Sequence, residues 1–157
     1  MKLERVQKKD KKILDNLIQL YLHNLSINFK IDFDSKTGLY IYEDISKYFV
    51  NNDDIALFIK DNDNIIGFIL LNLSDNVNVV QELFILNNYK RQGYGKNAII
   101  ETFNNYRGNW CIKVVPCTPS SENFWINVVN EYTNNNYRLE RTGKYNRVEL
   151  YFSNKEK

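Results

Sequence analysis

A chain of 157 residues has the length of one domain, for which about 100–200 residues is usual, and at that size folding buries roughly 70% of the unfolded surface. Its 43% hydrophobic and 25% charged residues exclude a disordered chain, and a net charge of +2 is too balanced for a dedicated nucleic-acid binder. Two cysteines and one histidine exclude a disulfide framework, and Cys111, Cys117 and His23 alone cannot fill a tetrahedral zinc site, so no metal is expected.

Residues 2–6 alternate weakly and predict a short first strand. Asp10 then precedes a helical stripe of Ile13, Leu14, Leu17, Ile18, Tyr21 and Leu22. A polar and aromatic connection follows through residues 27–44, then a short helix containing Ile45, Tyr48 and Phe49. From Ile55 the period changes to that of strands. Residues 55–60, a turn at 61–64 and residues 65–73 predict an antiparallel hairpin. Residues 77–86 predict the next strand, with Val77, Val79, Leu83 and Ile85 on one face and Val80, Glu82 and Phe84 on the other. The loop NNYKRQGYG leads into a helix carrying Ile99, Phe103 and Tyr106, and residues 109–115 form a further strand. Pro119 and Ser120 open a last helix with Trp125, Val128, Val129 and Tyr132 at helical spacing, and residues 137–141 and 147–152 close the chain as a hairpin. The expected fold class is α/β (α+β): a mixed, mostly antiparallel sheet of six to seven strands flanked by about four helices.

The segment between the long strand and its helix carries the most chemistry. Gly93 and Gly95, placed where a strand hands over to a helix, let several backbone N–H groups converge with the helix N-terminus into an anion cradle, and Lys90, Arg91 and Lys96 add positive charge there. A phosphate or pyrophosphate ligand fits this arrangement. A P-loop is excluded, because Lys90 stands where its first glycine should be and Asn97 follows Lys96. Residues 93–98 match the G-x-G-x-x-A form of a dinucleotide fingerprint, but the preceding strands read as hairpin-connected and no acid ends the next strand.

The same loop resembles the coenzyme A loop of the GNAT superfamily of N-acetyltransferases, Gln/Arg-x-x-Gly-x-Gly/Ala. Lys90 takes the first position with its charge kept, and Gly93 and Gly95 match. Residues 83–86 correspond to the family's strand along the pantetheine arm. Phe124-Trp125 stands where the family has Asn-x-x-Ala-x-x-Phe-Tyr, with Thr118 and Ser121 in place of its Asn and Ala. The order of elements agrees along the whole chain, and the N-terminal half looks like a little-characterised bacterial branch of such enzymes. The resemblance implies a single acetyltransferase domain over residues 1–157, with acetyl-CoA as co-substrate and acetyl passing directly to a primary amine.

It further implies that coenzyme A is held by Lys90, Arg91, Gln92, Gly93, Tyr94, Gly95 and Lys96, largely through backbone N–H groups, by main-chain bonds from Phe84, Ile85 and Leu86, and by Phe124. A strand N–H near Phe84 or Ile85 would face the developing oxyanion. Glu82, just ahead of the cofactor segment, is the candidate base, the alternative being a solvated or paired strand residue. Trp125 replaces the tyrosine that serves the family as acid, which leaves Tyr132, two turns on, as the candidate acid or a half-buried core residue. His23 is a second candidate base or a helix-dipole partner, Cys111 a small core residue, and Cys117 a loop thiol near the acetyl position. In the connection, Asp32, Asp34, Glu43 and Asp44 among Phe29, Phe33, Tyr40 and Tyr42 either frame a cationic acceptor or form a solvated loop anchored by its aromatics. The partner expected is a small-molecule or peptide amine, with no nucleic acid and no membrane; a homodimer is an allowed assembly. With no secretory h-region behind MKLERVQKKDKK and no apolar run of about 20 residues, a cytoplasmic location is expected. The runner-up function is a CoA or acyl-CoA sensor that has lost catalysis.

Overall fold

The change of hydrophobic period along the chain becomes a sheet with helices on both faces. The computed structural model describes residues 1–114, 119–143 and 146–156. Strand β1 (Lys2–Arg5) is followed by helix α1 (Lys11–Leu25), a small hairpin of β2 (Phe33–Asp34) and β3 (Leu39–Tyr40), and the single turn α2 (Lys47–Val50). Then come β4 (Asp54–Asp61), β5 (Asn64–Asn72), β6 (Asn78–Ile85), α3 (Tyr94–Asn105), β7 (Asn109–Lys113), α4 (Pro119–Thr133), β8 (Arg138–Thr142) and β9 (Arg147–Ser153). The seven-stranded sheet runs β1-β4-β5-β6-β7-β9-β8, antiparallel throughout except for β6 with β7. This is the mixed, mostly antiparallel α/β architecture expected. The hairpin β2–β3 lies inside the stretch read as an irregular connection: two residues per strand are too few to show a period.

One face of the sheet buries the stripe Leu14, Leu17, Ile18 and Leu22 of α1 against Phe58, Phe68, Leu70 and Phe84. The other buries Ala98, Ile99 and Phe103 of α3 and Val128 and Val129 of α4 against Ile69, Val80, Ile85, Trp110 and Leu150. Trp110 and Phe152 close on Phe103 with ring centroids 4.9 Å away in both cases. Each such ring buried stabilises the fold by about 1.5–3 kcal/mol. Asn154, 1% exposed, ties the end of α3 to the last strand: its Nδ2 donates to the Phe103 carbonyl at 2.6 Å and its Oδ1 accepts from the Gly108 N–H at 2.8 Å.

Two irregularities of β6 build the site. Leu70 lies opposite Glu82 and Leu71 opposite Val80, so Gln81 has no partner on β5 and forms a bulge. The bulge reverses the alternation. Val80 packs with Ile85 on the α3/α4 face, whereas Glu82 and Phe84 turn to the α1 face. The sequence reading that put Val77, Val79, Leu83 and Ile85 on one face and Val80 with Glu82 on the other is corrected by this one inserted residue. Second, β6 pairs with β7 only at Asn78–Trp110 and Val79–Cys111, after which the parallel strands separate and leave the β7-side edge of β6 open.

Candidate active site

The open edge of β6 has a defined set of free groups. The Leu86 N–H donates to the Ile66 carbonyl of β5 at 2.8 Å, and antiparallel alternation assigns Phe84 and Glu82 to the same side. The main-chain groups of Leu83 and Ile85 therefore point into the gap beside β7. Of the three residues expected to bond a cofactor through their main chain, Ile85 is placed to do so, while Phe84 turns its groups to β5 and Leu86 gives its N–H to β5 and accepts the Tyr89 N–H on its carbonyl at 2.9 Å. Leu83, not foreseen, joins Ile85. The phenyl ring of Phe84 is buried on the opposite face against Tyr21 and Phe68.

At the end of β6 the chain turns through a short 3-10 segment into α3. Gly93 caps this helix in the left-handed region at φ 84°, with no side-chain cap, and Arg91 before it has φ 62°. The first intrahelical bond runs from the Asn97 N–H to the Gly93 carbonyl at 3.0 Å, so the N–H groups of Tyr94, Gly95 and Lys96 precede it and emerge from the helix end. A Cβ at Gly93 would come no nearer to another group than 3.8 Å from Asn97 Nδ2; one at Gly95 would lie 3.6 Å from the Phe124 ring and 3.7 Å from Ile85. Side chains at these positions would occupy the space before the N–H groups and between α4 and β6. Tyr94 anchors the loop by donating to Asp61 Oδ2 at 2.8 Å, and Gln92 Nε2 braces it on the Asn88 carbonyl at 2.8 Å.

The resulting cleft of about 440 Å³ is lined by Leu83 and Ile85, by Tyr89, Lys90, Arg91, Gly93, Gly95 and Lys96, and by Phe124 from α4. An apolar channel ends in backbone donors and basic side chains. That donor set fits the pantetheine arm and pyrophosphate of coenzyme A. Lys96 also pairs with Glu131 of α4 at 2.5 Å, which holds the helix end beside the channel.

A second cleft of about 350 Å³ adjoins the first and shares Leu83, Lys90 and Phe124 with it; Tyr21, Leu25, Gln81, Glu82, Lys113, Ser120, Ser121 and Trp125 also line it. Glu82 is half-buried here and accepts a hydrogen bond from the Tyr21 hydroxyl of α1. Burial raises its pKa above the ordinary carboxylate value, with the negative charge of Glu43 adding to the effect; the hydroxyls of Tyr21 and Tyr42 and the charge of Lys47 pull the other way without cancelling it. Burial, with Glu82 close by, raises the phenol of Tyr42 in turn, so it stays a donor at neutral pH. Neither tyrosine was singled out as a partner of Glu82 in the sequence. The available signal was chemical: a tyrosine on an apolar helix stripe must find an acceptor for its hydroxyl, and a carboxylate on a core strand needs donors.

The other candidates sit elsewhere. Tyr132 is on α4, two turns or roughly 10 Å beyond Trp125, outside both clefts. Its ring packs on Phe103 and Phe152 and its hydroxyl meets Arg107, Asn104 and Asn154. His23 is exposed, with Nδ1 3.1 Å from the Tyr40 hydroxyl. Cys111 is buried on β7, where burial raises its thiol pKa. Cys117 and Thr118 lie outside the described residues. In the connection, Asp34 accepts from the Lys36 N–H and the Thr37 hydroxyl, Asp44 from the Ser46 N–H and hydroxyl, and Glu43 pairs with Lys47 at 2.9 Å. These three carboxylates are engaged locally, and none lines the Glu82 cleft. Among the described residues no cluster of His, Cys, Asp and Glu could hold a metal, and no helix is long and apolar enough to cross a membrane.

Solved structures share this architecture. An acetyltransferase from Thermus thermophilus superposes with a TM-score of 0.71 at 13% identity, covering 98% of each chain. A GNAT-family acetyltransferase from Staphylococcus aureus gives 0.60 at 22% identity, over 95% of this chain and 96% of that one. The PaiA N-acetyltransferase from Thermoplasma acidophilum, solved in complex with coenzyme A, gives 0.58 at 14% identity, over 98% and 100%. At these identities the likeness is one of fold. No curated protein sequence matches. The sequence model of the acetyltransferase (GNAT) family matches residues 17–123, a span that includes the C-terminal part of α1, the β6 bulge, the glycine cradle and the start of α4. The chain that builds this cradle beside a separated pair of parallel strands belongs to the GNAT acetyltransferase family.

Proposed function

We propose that the chain is one acetyltransferase domain that moves acetyl from acetyl-CoA to a primary amine by direct attack in a ternary complex. The observation that carries this reading is the junction of the two clefts at Leu83, Lys90 and Phe124: a channel suited to a pantetheine arm opens beside a half-buried carboxylate. The N–H groups of Tyr94 to Lys96 and the side chains of Lys90 and Arg91 hold the pyrophosphate. Acetyl-CoA supplies the thioester. The main-chain N–H of Leu83 or Ile85 donates to the carbonyl oxygen as negative charge develops there. Glu82 takes one proton from the acceptor ammonium, whose nitrogen then attacks the carbonyl carbon; the C–S bond breaks, the thiolate leaves, and the second proton of the nitrogen passes to that thiolate, giving the amide and the free thiol. A thiol with an ordinary pKa near 8.5 is a tolerable leaving group without a dedicated acid.

The test is thiol release from acetyl-CoA with and without a panel of amines. Amine-dependent release supports the transferase. The placement of Tyr132 outside the clefts, with Trp125 at the family's tyrosine position, favours a second reading, an acyl-CoA sensor. Coenzyme A binding with no turnover of any amine would establish that one instead.

A further inference from the structure

The acceptor cleft carries opposite charges on its two strand walls. Because Gln81 is the bulged residue, Glu82 turns to the same face of the sheet as Val79, and Val79 pairs in register with Cys111 of β7. Lys113, two residues beyond Cys111, projects to that face as well and lines the cleft with Glu82. Its cross-strand neighbour Glu149 is already committed: that carboxylate accepts from Arg147, from the Tyr151 hydroxyl and from Thr142 at 3.2 Å. Lys113 makes no ion pair among the described residues, and neither does Lys90 at the other end of the cleft. Glu82 is the one carboxylate among the described residues lining it. Between the charged walls stand Phe124 and Trp125 from α4 and Leu25 from α1.

We propose that the acceptor is a small zwitterion, an amine that also bears a carboxylate, as in a free amino acid. Its ammonium meets Glu82, its carboxylate meets Lys113, and an apolar side chain lies against Phe124 and Trp125. The cleft volume of about 350 Å³ is at the small end of ligand sites, which run to about 1,000 Å³, and suits a molecule of that size. A polyamine or aminoglycoside would bring several positive charges toward Lys113 and find a single carboxylate among the described residues. The inference rests on the acetyltransferase reading and goes beyond it in naming the acceptor class.

The experiment compares a set of free amino acids with their carboxamides, and with spermidine, as acceptors in thiol release from acetyl-CoA. The amide is close in size to the acid and lacks its negative charge; its α-amine is also less basic, so rates are compared per unbound, unprotonated amine across pH. For the best amino acid, kcat/KM is expected to exceed that of its amide by about tenfold or more, the size of one charge-assisted contact. In Lys113→Gln that ratio should collapse toward one, with coenzyme A affinity serving as the check that the fold and the first cleft are intact. Amides that match or surpass the acids, or spermidine as the best acceptor, would overturn the zwitterion assignment and leave the transferase standing. Absence of release with every amine despite coenzyme A binding would overturn both.

Discussion

At the scale of single residues, two positions separate binding from chemistry. Gly93 caps α3 with a positive φ and open space before the helix end. Aspartate is among the residues that best tolerate this backbone, and its carboxylate would bond the free N–H groups as an N-cap does. Gly93→Asp is therefore expected to fold and to lose coenzyme A binding by at least about tenfold in titration calorimetry, since the cradle is filled by an anion of its own. Unchanged affinity would remove the cradle from the cofactor site. Glu82 has a consequence for stability as well. Its pKa is raised in the folded chain, so the fold holds that proton more tightly than the unfolded chain does, and stability falls as pH rises from the ordinary carboxylate value through the raised one. Glu82→Gln removes the ionisation and keeps an acceptor for Tyr21. The melting temperature of the variant is expected to match the wild type near pH 4 and to exceed it near pH 8; a variant less stable at both would show that Glu82 is structural.

At the scale of elements, the site is made where regular pairing fails. The bulge at Gln81 aims Glu82, and the separation of β6 from β7 frees the edge at Leu83 and Ile85. Both depend on β6 lying tight against β5. A Cβ on Gly67 would fall 2.0 Å from the Phe84 carbonyl oxygen, a backbone atom that cannot move aside without displacing β6. Gly67→Ala is expected to cost about 3 kcal/mol or more in denaturant unfolding, at or beyond the upper end of overpacking costs, and to weaken coenzyme A binding. Stability within about 1 kcal/mol of wild type would mean that β6 is not clamped there. These elements also mark what was legible beforehand. The α1 stripe, the β4–β5 hairpin and the glycine loop announce themselves by period, turn residues and spacing. The bulge does not, because Val80, Gln81 and Glu82 continue a plausible alternation and the slip is set by pairing with β5. Tyr21 reads as part of the α1 stripe and Lys113 carries no signal of its own; the packing of α1 brings the first to Glu82, and the course of β7 brings the second to the same cleft. The carboxylates at Asp34, Glu43 and Asp44 fit the second of their two readings, a locally anchored loop: turn bonds engage Asp34 and Asp44, and an i,i+4 ion pair with Lys47 engages Glu43.

At the scale of the whole molecule, a ligand spanning β6, α3 and α4 should stabilise the fold as a unit. At a free concentration about 100 times its dissociation constant, a ligand that binds only the native state adds about 2.7 kcal/mol. For a chain of this size each kcal/mol is worth about 2–4 °C, so acetyl-CoA is expected to raise the melting temperature by roughly 5–10 °C, while NADPH should not. The central claim is that the two clefts work as one site, with the thioester delivered to an amine that Glu82 deprotonates. The most direct test is amine-dependent thiol release at saturating acetyl-CoA, compared between wild type and Glu82→Gln, with coenzyme A affinity measured in parallel. Loss of a general base should lower kcat/KM for the amine by about 10²-fold or more with coenzyme A affinity retained. A variant that turns over at the wild-type rate would contradict the account.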